Sequence, residues 1–317
     1  MKVLVTGGAG FIGSHLCESL LRRGDKLIII DDLNDFYPPS IKRSNLQNVS
    51  KAGGYTFYQL DIRNAAGLHS VFECELPQTV VHLAARAGVR PSLKAPVLYE
   101  EVNVVATIHL LELCRKFRVE NFIFASSSSV YGINSRLPFR EDDPIDRPIS
   151  PYATTKRSGE LLAFNYSYLY NLNVTCLRFF TVYGPRQRPE MAIYSFTRQI
   201  LSGKPIHIFG DGSSRRDYTY IDDIVTGIIS AIDRPKRFAI YNLGNSSPVT
   251  LNELIETLEQ ACGKKAIKAY LPAEAGDVPA TYAAIDLARS ELGFEPTTDL
   301  QTGIARFVKW YKDGAID

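Results

Sequence analysis

Lys2-Val3-Leu4-Val5-Thr6-Gly7-Gly8-Ala9-Gly10-Phe11-Ile12-Gly13 opens the chain. An apolar, β-branched run leads into glycines at 7, 10 and 13. Phe11, Ile12, His15, Leu16, Ser19, Leu20 and Arg23 then follow at a spacing that separates an apolar from a polar helical face. The order is strand, tight turn, helix. Gly7 suits a turn conformation that a Cβ obstructs. Gly10 leaves room for a diphosphate against the backbone, and Gly13 lets the helix pack closely on the strand. The helix N-terminus offers free N–H groups and partial positive charge to phosphate. The pattern is that of a dinucleotide-binding βαβ unit, spaced G-x-x-G-x-x-G.

A second strand is expected at Lys26–Ile30, ending in Asp31-Asp32. Acids at that tip, roughly 20 residues beyond the glycines, bind adenosine ribose hydroxyls and repel a 2′-phosphate. The expected cofactor is therefore NAD rather than NADP.

Working outward, alternating strands and helices continue. Strands are expected at 55–60, 79–85, 121–126, 173–180, 205–209 and 238–243. Helices are expected near 41–49, 65–74, 97–117, 192–202, 251–262 and 300–312. Such alternation predicts an α/β fold with a doubly wound parallel (Rossmann) sheet and a smaller α/β substrate-binding domain. The first 180 residues form the dinucleotide domain, with an interleaved return around 215–245. Residues 181–317 supply most of the second domain.

Composition narrows the class. Hydrophobic residues make up 45% and charged residues 22%, which fits a soluble globular chain. A net charge of +2 is too small for a nucleic-acid footprint. No apolar run reaches the ~18 residues of a membrane span. The first strand starts at residue 2, which leaves no room for a signal peptide. Five scattered cysteines with no C-x-x-C predict reduced thiols, a cytoplasmic protein and no metal site. His82 lies in an apolar run and reads as a core or cofactor-wall residue.

The chemistry begins at the tip of the fifth strand, where Ser126-Ser127-Ser128-Ser129 precedes Val130-Tyr131-Gly132. Ser150-Pro151 then opens a helix as cap and first-turn residue. Tyr152 and Lys156 follow, four apart and on one face. A phenol ionises near pH 10. A nearby ammonium and a cationic nicotinamide both favour the phenolate. Tyr152 is thus a general base for a hydroxyl, with a serine hydroxyl as partner.

At this point the chain resembles the extended short-chain dehydrogenase/reductases that act on nucleotide sugars. The resemblance covers nearly its whole length. It rests on Thr6–Gly13, His82-Leu83-Ala84-Ala85, Ser126–Gly132, Tyr152/Lys156 and Arg178-Phe179-Phe180-Thr181-Val182-Tyr183-Gly184-Pro185. It implies that Gly7, Gly10, Phe11, Ile12, Gly13, Asp31, Asp32, Asp61, Ile62, Leu83, Ala84, Ala85, Asn103, Tyr152, Lys156 and Phe179 hold NAD. Ser127, Ser129, Tyr152 and Lys156 are then catalytic. Arg86, Ser128, Thr181, Arg188, Phe209, Arg216 and Asp277 are placed on a UDP-sugar. Phe209 is expected near the uracil, Arg216 at the diphosphate and Asp277 at the uridine ribose. A homodimer through helices 97–117 and 151–170 is also implied.

Within that family the expected first step is shared. Tyr152 deprotonates the sugar 4-hydroxyl while C4 gives up hydride. A dehydratase carries Asp-Glu after the catalytic Ser/Thr, where this chain has Ser128 and Ser129. A UDP-xylose-forming decarboxylase carries Glu, where this chain has Ser129. The remaining outcome is 4-epimerisation. Asp32–Tyr37, Ala87-Gly88-Val89-Arg90, Arg188-Pro189-Glu190-Met191-Ala192 and Gly276-Asp277-Val278 resemble above all the UDP-glucuronate 4-epimerases. Arg188, helped by Thr181 and a serine at 127–129, is the expected carboxylate site. UDP-glucose or UDP-N-acetylglucosamine epimerisation is the alternative, a decarboxylase is a weaker one, and a redox-sensing NAD-binding regulator is the non-enzyme reading. Two departures stand out. Arg86 replaces the usual Gln, and Arg186-Gln187 replaces Trp-Gly. Either extra arginine is a further candidate for the carboxylate.

Overall fold

The computed structural model describes residues 1–133, 136–272 and 278–314. The first half runs β1 (Lys2–Thr6), α1 (Phe11–Arg22), β2 (Lys26–Asp31), α2 (Pro39–Ala52), β3 (Thr56–Gln59), α3 (Ala65–Glu75) and β4 (Thr79–His82). Three short helices follow, α4 (Val89–Lys94), α5 (Pro96–Glu100) and α6 (Ala106–Lys116), then β5 (Asn121–Ser127), α7 (Pro151–Tyr170) and β6 (Asn173–Phe179). The second half contains β7 (Thr181–Tyr183), α8 (Ala192–Ser202), β8 (Pro205–Phe209), β9 (Arg215–Arg216), β10 (Tyr218–Tyr220), α9 (Ile221–Asp233) and β11 (Phe238–Leu243). It closes with β12 (Val249–Thr250), α10 (Leu251–Cys262), β13 (Ile267–Leu271), α11 (Asp286–Leu292) and α12 (Leu300–Lys312).

Seven strands form one parallel sheet in the order β11-β6-β5-β4-β1-β2-β3. This is the expected doubly wound α/β arrangement. β1, β2, β4 and β5 are buried over almost their full length, because helices cover both faces and leave no solvent side for alternation. From β1 the chain builds outward through β2 and β3, then returns to lay β4 on the other side of β1. The order reverses there, and the carboxyl ends of β1 and β4 part to leave a crevice. β11 returns to this sheet from the second half, while β7–β10, β9–β12 and β8–β13 form three small two-stranded ladders.

Two expectations change. β4 ends at His82 rather than residue 85, since the next N–H groups turn back onto Thr6: Leu83 N–H donates to the Thr6 carbonyl at 3.1 Å and Ala84 N–H to Thr6 Oγ1 at 3.2 Å. The helix expected over 97–117 is interrupted at Glu101–Val105 by a wider, π-type turn. Such turns insert one residue into a helix and often mark functional positions.

Candidate active site

The crevice is a cavity of about 370 Å³. Its floor is the Gly7–Gly13 turn. Gly7 has φ +73°, and a Cβ there would lie 2.7 Å from Ala84 N. A Cβ on Gly13 would lie 2.2 Å from the Gly7 carbonyl oxygen. At Gly10 the space opens instead: past the Gly7 oxygen at 3.1 Å, the next atom is the Tyr37 hydroxyl at 3.9 Å. The turn is shut against its own strand and open toward the cavity, as a backbone cradle for a diphosphate requires.

Asp31 and Asp32 stand at the rim. Asp31 is buried and accepts from Ala9 N at 3.1 Å and Leu33 N at 2.9 Å, so it also pins the glycine turn. Burial pushes its carboxyl up, while Lys42 opposes that shift. Asp61, Ile62, Leu83, Ala84, Ala85 and Phe179 complete this arm of the cavity with Phe11 and Ile12. Asn34, Phe36, Tyr37, Lys42 and Arg63 also line it; the first three fall in the Asp32–Tyr37 stretch of the resemblance, but none of the five was expected in the site. The available signal was their position just beyond the ribose acids and Asp61.

Asn103 stands behind the wall rather than in it. It is buried, its Oδ1 accepts from Arg86 N–H at 2.8 Å, and its Nδ2 donates to the Arg86 carbonyl at 2.9 Å and Thr155 Oγ1 at 3.0 Å. The π turn brings this amide between the loop after β4 and the helix that carries Tyr152. His82 completes the link. Thr107 gives its one hydroxyl hydrogen to the Asn103 carbonyl at 2.7 Å, so it must accept from His82 Nε2–H at 3.0 Å. Burial, with Lys156 nearby, pushes His82 down to about 3 and keeps it neutral. Its Nδ1 therefore accepts from the Thr6 hydroxyl at 2.7 Å. The motif histidine is a bolt, not a ligand, and no metal-binding cluster of His, Cys, Asp or Glu occurs among the described residues.

Tyr152 and Lys156 both face the cavity from the first turns of α7. Ser150 caps this helix by accepting from Ala153 N, and Pro151 occupies its first position. Ser127 ends β5; its hydroxyl accepts from Ser129 N at 3.2 Å and donates to Ser129 Oγ at 3.2 Å. Burial holds the Tyr152 phenol high, while the Ser127 hydroxyl and the Arg188 charge pull it down. The expected ammonium partner is placed differently. Lys156 Nζ donates to the Ala125 carbonyl at 2.7 Å and lies over the Phe124 ring. Burial lowers it to about 8.

The second arm is built from Ser128, Ser129, Phe180, Thr181, Val182, Arg188 and Met191. Arg188 pairs with Glu190 at 3.0 Å and lies 5.7 Å from the Phe36 ring centre. Arg86 lies 5.8 Å from the same ring. Arg186 turns away and pairs with Glu18 at 2.6 Å on α1, which removes it as a carboxylate candidate. Phe209 and Arg216 lie outside this wall: Arg90 covers the Phe209 ring at 4.8 Å, and Arg216 donates to the Arg215 carbonyl at 2.8 Å. Asp277 lies outside the described residues.

Comparison with known proteins identifies this arrangement. A model of the NAD dependent epimerase/dehydratase family matches residues 3–244. The chain belongs to that family. It is 45% identical to UDP-glucuronate 4-epimerase of Thermodesulfobacterium geofontis, covering 98% of this chain and 96% of the relative. Its structure is similar to that of UDP-glucuronic acid 4-epimerase from Bacillus cereus, solved with UDP-glucuronic acid and NAD, with a TM-score of 0.93 at 38% identity over 99% of both chains. UDP-glucose 4-epimerase from Thermotoga maritima, solved with UDP-glucose, gives a TM-score of 0.91 at 33% identity over 99% of both chains. In an NAD dependent epimerase, the glycine cradle and the Asp31/Asp32 rim fit the dinucleotide.

Proposed function

We propose that this protein converts UDP-glucuronate to UDP-galacturonate by 4-epimerisation, with NAD retained as a bound cofactor. NAD, when bound, would supply the acceptor for the C4 hydride and the donor that returns it to the opposite face of the 4-keto sugar. The chain's own residues handle the proton and hold the substrate. Tyr152 takes the O4 proton, and Ser127 steadies the developing charge on that oxygen by hydrogen bonding. Lys156, held on the Ala125 carbonyl, adds its charge to the wall of the same cavity, while the charge that acts on the phenol itself is that of Arg188.

Arg188 is the observation that carries the choice of sugar. It is in the cavity wall, and its charge reaches the Tyr152 phenol. A desolvated carboxylate on C5 needs such a cation, with hydroxyls from Thr181 and Ser127–Ser129 as further donors. A 4-keto uronate is a β-keto acid and loses carbon dioxide readily. A guanidinium that stabilises the carboxylate and turns it out of line with the ketone suppresses that loss. No acid stands at 128 or 129 to drive elimination instead.

Two finer readings accompany this one. The five cysteines are free thiols, the state that a reducing cytoplasm maintains. Exposed Val97, Val105, Leu161, Phe164, Tyr168 and Leu169 on the helices spanning 96–116 and 151–170 support a homodimer through these faces. Among the described residues no helix is long and apolar enough to cross a membrane.

The test is incubation with UDP-glucuronate in deuterated water, followed by NMR. The galacturonate epimer is expected without deuterium at C4. Solvent deuterium at C4 contradicts internal hydride return, and absence of the epimer contradicts the activity. Tyr152→Phe is expected to keep NAD and lose about 10²–10⁴ in turnover; near-normal turnover removes Tyr152 from the mechanism.

A further inference from the structure

We infer that Arg86 clamps the diphosphate of the bound dinucleotide, closing over it from the side opposite the glycine turn. Five cationic side chains line the cavity, and four are engaged. Arg63 pairs with Asp61 at 2.7 Å and Glu101 at 3.1 Å. Lys156 donates to the Ala125 carbonyl and Arg188 pairs with Glu190. Lys42 lies over the Tyr37 ring at 4.9 Å and within the field of Asp31 and Asp32. The Arg86 guanidinium makes no hydrogen bond or ion pair with any described residue, and its one described contact is the Phe36 ring. A guanidinium carries five donors in a planar fork that matches phosphate oxygens.

Position decides which anion it takes. The Arg86 backbone is fixed at both its N–H and its carbonyl by the Asn103 amide, just beyond β4. That places its root beside β1, toward the nicotinamide end of the crevice. Its charge is nevertheless felt by Lys42 and Asp61, on the adenosine side, and, together with that of Arg188, by Tyr99 beside the Tyr152 ring. A side chain rooted at one end of the dinucleotide site and acting on the other crosses the middle. The middle is the diphosphate, above Gly10, Phe11 and Ile12. The Arg188 charge, by contrast, acts on the Tyr152 phenol, and Arg86 has no such effect there. Both guanidiniums lie near the Phe36 ring, at 5.8 and 5.7 Å from its centre, and of the two it is Arg86 that has no ion pair with a described residue, whereas Arg188 pairs with Glu190.

The test uses protein freed of nucleotide and calorimetric titration with NAD, ADP-ribose and adenosine. Arg86→Gln is expected to weaken NAD and ADP-ribose about 10- to 100-fold, the loss of a charge-assisted phosphate contact, while adenosine stays within twofold. Arg86→Lys is expected to recover part of that loss, and added salt to narrow the gap between parent and Arg86→Gln. An unchanged affinity for NAD and ADP-ribose overturns the assignment. So does an equal loss for adenosine, which indicates damage to the wall. So does a fall confined to UDP-glucuronate, which returns Arg86 to the sugar arm.

Discussion

The two arms of the cavity are built by different means. The cofactor arm is mostly backbone: a glycine turn, a helix end and the tips of parallel strands, held in the interior of a seven-stranded sheet. The sugar arm is mostly side chain: serines, Thr181 and Arg188, carried by loops and by ladders of two strands. A backbone cradle tolerates almost no added volume and says little about which ligand variant enters. A side-chain arm tolerates substitution, and on the proposed reading it sets the choice between sugars. The chain is similar to both glucuronate and glucose epimerases, with TM-scores of 0.93 and 0.91.

The largest effect should come from breaking the rigid arm. In Gly13→Ala the new methyl meets a carbonyl oxygen at 2.2 Å, and neither neighbour can yield without moving β1. Stability is expected to fall by about 1–3 kcal/mol or more, and NAD affinity by about 100-fold. Urea unfolding and NAD titration check this; a variant with parental NAD affinity shows that the turn is not the cradle.

Next is Arg188→Ala in the adaptable arm. The fold should hold, and KM for UDP-glucuronate should rise about 10- to 50-fold while that for UDP-glucose changes little. Parallel kinetics on the two sugars measure the ratio. An unchanged ratio means that the carboxylate is recognised elsewhere.

The smallest effect is a difference in sign with pH. Behind the cofactor arm, burial lowers His82 to about 3, and burial with the Arg186 charge lowers His15 to about 4. Below pH 6.5 the unfolded chain takes protons that the folded one refuses, so stability falls as pH drops, by up to about 1.4 kcal/mol per pH unit per group. Near the sugar arm, Asp217 is buried, accepts from Asn245 N, Ser246 N and Ala283 N, and is raised by burial to about 6. Between 3.8 and about 6 the folded form holds the extra proton, so this contribution is lost as pH rises. Urea midpoints from pH 4.5 to 7 should therefore steepen in Asp217→Asn and flatten in His82→Gln. The same slope in both variants removes the distinction.

Much of the first arm was legible in the sequence because its requirements are local. A glycine that must pass a carbonyl, an acid at a strand tip and a Tyr four residues before a Lys are all set by spacing. Helices at 192–202, 251–262 and 300–312 were legible from their apolar period, and the structure places them there. The π turn was not, because one inserted residue shifts that period too little to see. Side-chain direction was also hidden. Lys156 bonds to a carbonyl of β5, and Arg186 turns to Glu18 of α1, partners distant in sequence. Phe36 and Lys42 entered the cavity without an expected role, because the chain after β2 lines it. Phe209 and Arg216 were expected at the substrate, and the described wall does not include them.

The one-way run of hydrogen bonds from Thr6 through His82 and Thr107 to Asn103 has a mechanical consequence. It joins the seat of the dinucleotide to the helix bearing the phenol through a neutral ring with a single allowed tautomer. The separation between that seat and the phenol is thus set before any ligand arrives, and a shift of one drags the other. Loosening any link should unseat both together, so this part of the molecule behaves as one caliper rather than two jaws.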